Sequence, residues 1–172
     1  MESRKRVLKT CLSEVDGVEK KQKEVILSLL KSNKENKNYE NNYWFPYKDF
    51  LDPTDDFTDF LCENLDGKQG YITLIENIIN ADETAKIYIE VYGFEEDNNK
   101  QFIYADTLII FTRLSLLEVE RIFNEPKDIF PSDIGVLTDS LQHSFVVGDN
   151  GDLFPAANLP NSGCSVYYCW WD

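Results

Sequence analysis

The chain has one histidine, one methionine, four cysteines, eight glycines and six prolines among its 172 residues. Each shortage excludes something. With His143 as the lone histidine, a Ser-His-Asp or Cys-His site has one base to draw on, and no serine sits in a G-x-S-x-G turn. His143 therefore reads as structural. The cysteines stand at 11, 62, 164 and 169. That spacing matches neither a C-x-x-C pair nor a zinc ribbon, and it reads as reduced, mostly buried thiols in a cytoplasmic protein. Cys164 and Cys169 on one strand would face opposite sides and not bridge each other. No G-x-x-x-x-G-K-[ST] or G-x-G-x-x-G occurs, so phosphate cradles and dinucleotide folds have no support. Few glycines and prolines exclude collagen-like or low-complexity architecture. No apolar run approaches the roughly 20 residues of a membrane span. The basic start, Met1-Glu2-Ser3-Arg4-Lys5-Arg6, is followed by no apolar stretch of signal-peptide type, so secretion is not expected.

What the chain does have is apolar mass and carboxylates. Hydrophobic residues make up 42% and aromatics 13%, enough for a sizeable core and too much for a disordered chain. The formal charge is −14. Its placement is uneven: residues 1–48 carry 11 basic and seven acidic groups, whereas residues 49–172 carry six and 24. A body so acidic repels nucleic-acid phosphates and anionic membranes. It favours a basic protein partner, with simple solubility as the plainer explanation.

The organisation expected is one domain, residues 1–172, in three parts. Residues 1–32 form a helical segment, because Val7, Leu8, Cys11, Leu12, Val15 and Val18, then Val25, Ile26, Leu29 and Leu30, recur at three and four. Residues 33–42 are a polar, Asn-rich linker. Residues 43–172 are an acidic α+β body. It opens with the aromatic run Tyr43-Trp44-Phe45-Pro46-Tyr47. Asp52-Pro53 starts a helix whose buried stripe is Phe57, Phe60, Leu61 and Leu65. Tyr71–Ile79 has helical spacing, with a strand as the alternative. Ala85–Tyr92 and Gln101–Thr112 pair as a hairpin around a polar turn at 95–100. Ser115-Leu116-Leu117-Glu118 is a capping box before a helix with its stripe at Leu116, Val119, Ile122 and Phe123. A loop follows with Pro131, Asp133 and Gly135. Ser144–Val147 and Asp152–Phe154 flank Asn150-Gly151, a type I′ hairpin signal. Cys164–Trp171 is a last strand, apolar on both faces. The sheet is expected to be mainly antiparallel, with the N-terminal helices packed on one side.

The chemistry-bearing residues are carboxylates. Asp55, Asp56, Asp59 and Glu63 recur at helical spacing, and Glu95, Glu96 and Asp97 mark the hairpin turn. Phe57 and Phe94 stand beside them as aromatic anchors. An exposed helix face and a loop tip can both enter a partner's cleft. Asp149-Asn150-Gly151-Asp152 looks like part of a calcium loop but lacks its ligand spacing and its bidentate Glu. No metal and no cofactor are expected.

In size, charge and Lys/Asn/Ile/Glu-rich composition the chain resembles the small acidic immunity proteins that bacteria make against toxins, including those of contact-dependent inhibition systems. The resemblance implies a cytoplasmic, non-enzymatic inhibitor bound to a cognate basic toxin, often a nuclease. It implies no particular fold. Two other readings stand beside it. One is a regulatory or scaffold module whose basic segment 1–31 docks on its own acidic body. The other is a carboxylate-dependent hydrolase, which needs two Asp/Glu side chains converging with separated pKa values.

Overall fold

The computed structural model describes residues 24–25, 27–29, 31, 42–51, 58–60, 68–97, 100–124, 130–138, 140–148, 151–159 and 163–172. Eight strands form one sheet: β1 (Asn42–Pro46), β2 (Thr58–Phe60), β3 (Lys86–Asp97), β4 (Lys100–Thr112), β5 (Asp133–Val136), β6 (Ser144–Val147), β7 (Leu153–Pro155) and β8 (Ser165–Trp170). The strand order is β5-β8-β4-β3-β1-β6-β7, and β2 pairs with β4 beyond the reach of β8. Among the described strands only the β1–β6 and β2–β4 pairings are parallel. Among the described residues between the strands lie a single helical turn α1 (Tyr47–Phe50), α2 (Lys68–Ala81) and α3 (Leu116–Asn124). The fold is thus a mainly antiparallel α+β sheet, as the patterning predicts.

The strands bury both faces at the centre, and the two faces are different. On the helix-covered face, Tyr43, Phe45, Ile87, Ile89, Leu108, Ile110, Tyr167 and Cys169 meet Tyr71, Leu74, Ile75 and Ile78 of α2 and Val119 and Phe123 of α3. The α2 positions follow the i, i+3, i+4, i+7 rule, which is why the helical reading of 71–79 holds over the strand alternative. Trp171 also joins this face, edge-on to Tyr71 (5.2 Å) and Phe123 (5.8 Å). Val25, Leu27 and Leu29, within a helical stretch, pack against the same cluster. On the opposite face Trp44, Tyr88, Ile109, Phe111, Val146 and Val166 form a second cluster. It packs with Ala156, Leu141, Leu137 and Leu159, from two 3₁₀ turns (Ser140–His143 and Ala156–Asn158) and flanking loop.

The capping box before α3 forms as expected. Ser115 N–H and Oγ both donate to Glu118 Oε2 at 2.7 Å, and Glu118 N–H returns a bond to Ser115 Oγ at 3.4 Å. At the end of α2 a second device ties helix to sheet. The Asp82 carboxylate accepts from Thr84 N–H (3.0 Å), Thr84 Oγ1 (2.7 Å), Thr112 Oγ1 (2.6 Å) and Arg113 N–H (2.8 Å). Those donors favour the ionised form and hold Asp82 well below the usual carboxylate range.

Several expectations are corrected. The helix read from Asp52-Pro53 is not continuous, because Thr58–Phe60 is a strand paired with Ile103–Ala105. The β8 register on β4 begins at Thr107, so this stretch of β4 edge takes its backbone partner from β2 instead. The hairpin turn is shorter than expected: β3 runs through Asp97 and β4 starts at Lys100, leaving only residues 98–99 between them. The aromatic run at 43–45 is the central strand β1, and Asn42, assigned to the linker, opens it. Its side chains are buried on both faces, so no alternation betrays it. The loop expected around Asp133 and Gly135 is the edge strand β5. Gly135 stands under the Tyr168 ring, where an added Cβ would come within 3.0 Å of the ring.

The type I′ signal includes Asn150, which lies outside the described residues. Between β6 and β7, Gly151 N–H bonds Gly148 C=O at 2.8 Å and Gly148 N–H bonds Asp152 C=O at 2.9 Å. Gly151 then adopts φ +82°, which glycine alone accepts cheaply. Outside the described residues lie 1–23, most of the linker, and the remainder of the 52–66 segment.

Candidate functional site

The register brings most of the placed acidic candidates to one end of the sheet. β3 and β4 extend past β1 and β8 as a hairpin arm, and β2 adds a third strand to it. Asp59 lies on β2 opposite Tyr104, and Tyr104 lies opposite Gly93 on β3. The next registers toward the turn are Glu95 with Phe102, Glu96 with Gln101, and Asp97 with Lys100. The strand backbones thus bring Asp59, Glu95, Glu96 and Asp97 into one three-stranded element. Asp55, Asp56, Phe57 and Glu63 lie outside the described residues.

Nearer the core, the side of the sheet opposite α2 and α3 carries a continuous cross-strand row. Trp44 on β1 stands opposite Glu90, Glu90 opposite Thr107, and Thr107 opposite Trp170. Asp106 is the extra residue at a bulge on β4, where Val91 pairs with Ala105 and Glu90 with Thr107. A bulge sharpens twist and re-aims a side chain, which sets the arm at an angle to the rest of the sheet.

Two carboxylates in this row are held by indoles. Trp44 Nε1–H donates to Glu90 Oε2 at 2.6 Å. Trp170 Nε1–H donates to Asp106 Oδ2 at 2.9 Å, and Thr107 Oγ1 to Asp106 Oδ1 at 2.7 Å. Burial pushes the Glu90 carboxyl above its ordinary range; the Trp44 bond opposes this and the charge of Asp106 adds to it. Trp44 and Thr107 are buried, while Glu90 and Trp170 are half-buried. The row marks the border between the covered cluster and the arm.

Sequence reasoning missed Glu90 and Asp106. Single acids inside strand-like runs carry no spacing signal, and only the register reveals that they neighbour each other. His143 is exposed at the end of a 3₁₀ turn. Among the described residues no group of three or more His, Cys, Asp or Glu side chains is placed to hold a metal ion. No described helix is long and apolar enough to cross a membrane. No protein-family model, no curated protein and no solved structure matches the chain.

Proposed function

We propose that the chain is an immunity-type inhibitor that binds and neutralises a basic protein toxin, a nuclease being the class that its acidity suits best. The observation that carries this reading is the register of the arm. It brings the backbone of Asp59 on β2 beside β4, whose hairpin partner β3 carries Glu95 and Asp97, so residues far apart in sequence enter one three-stranded element. Carboxylates arrayed on such an element mimic the charge a nuclease cleft expects, and they raise the rate of encounter with a basic partner. In this reading the protein works in the cytoplasm and binds without catalysis. The N-terminal segment extends the helical layer on the α2–α3 side, as the packing of Val25, Leu27 and Leu29 supports.

The test is capture of the partner from native cells at low salt, identification by mass spectrometry, and titration of its activity. The expected result is stoichiometric loss of the partner's activity. Charge reversal at Asp59 and Glu95 together should slow association and weaken binding in a graded way. A saturated partner that keeps full activity, or an affinity indifferent to both reversals, would sink the reading.

A carboxylate-dependent hydrolase remains the second reading because Glu90 and Asp106 are neighbours. Against it, each acid is already engaged by an indole N–H, as expected of a structural row.

A further inference from the structure

We draw no further inference here: the strongest candidate, the exposed apolar patch of Leu153 and Phe154 on β7 at the end of the sheet, carries nothing because nothing in the structure shows what covers it.

Discussion

Replacing Glu90 by glutamine should make the protein more stable at neutral pH, and this runs against the usual outcome of mutating a well-bonded core residue. The ionised carboxylate sits on the packed side of the sheet, and desolvation outweighs its bond from Trp44. Removing an ion from water costs several kcal/mol, and a hydrogen bond to a charged group returns about 1.5–3 kcal/mol. The net burden is of the order of 1 kcal/mol, worth roughly 2–4 °C in Tm for a chain of this size. Glutamine keeps an oxygen for the Trp44 N–H and drops the charge.

The pH dependence gives the sign. An acid whose folded pKa is raised binds its proton more tightly in the fold than in the unfolded chain. Stability from this group is present below the unfolded value, about 4.3, and is lost as pH rises through the raised folded value. Glu90→Gln should therefore match the wild type near pH 3.5 and exceed it at pH 7. Urea melts at both pH values measure this directly. Glu90→Ala is the companion: it leaves the fully buried Trp44 N–H without its acceptor and should cost about 1–3 kcal/mol. A glutamine variant that is less stable than wild type at pH 7, with the deficit closing at pH 3.5, would refute the reasoning, since the charge would then be helping the fold.

Asp82→Ala removes an acceptor of four hydrogen bonds at a partly exposed site, so a screened loss of about 2 kcal/mol is expected. Because Asp82 is held below its ordinary value, that stability is present above about pH 3.9 and fades as pH falls further; the gap between Asp82→Asn and wild type in thermal melts should close on acidification. Gly135→Ala should push the Tyr168 ring aside, disturb its hydrogen bond to Asp133 (2.9 Å) and lower Tm, with the near-ultraviolet tyrosine signal as readout. In a background lacking Cys11 and Cys62, a thiol reagent should modify half-buried Cys164 first. Cys169, whose thiol burial pushes up, should react only on unfolding.

The parts of the fold legible in the sequence are those set by short-range chemistry. The Ser115–Glu118 box, the apolar spacing of α2 and the long β3–β4 hairpin need only near neighbours in the chain, and each appears in the structure. The parts that were not legible depend on distant partners. β1 pairs with β3 and with β6, so its identity as a central strand exists only once both have arrived. β2 is a strand because β4 needs a neighbour at Ile103–Ala105, and this overrides the local helix-start signal at Asp52-Pro53. β5 is disguised by Gly135, a residue that sequence reasoning treats as a breaker and that Tyr168 requires. The same division holds at the site. Runs of acids stand out in the sequence, but which acids become neighbours is a matter of register, and only the register brings Glu90 beside Asp106.

That division bears on which acids matter. A surface acid on a solvated strand end costs the fold little, and its presence therefore says little. Glu90 is different, because burial penalises its charge and a second carboxylate, Asp106, stands beside it. Glutamine would keep the Trp44 bond without that cost, so stability alone gives no reason for a carboxylate there. Residues that weaken the fold without a structural return are expected where binding or catalysis uses them. The decisive signature is opposite movement of two quantities in one variant: Glu90→Gln should gain thermal stability and lose affinity for an arginine-rich ligand. A purely structural role would move stability alone, and a solvated bystander would move neither.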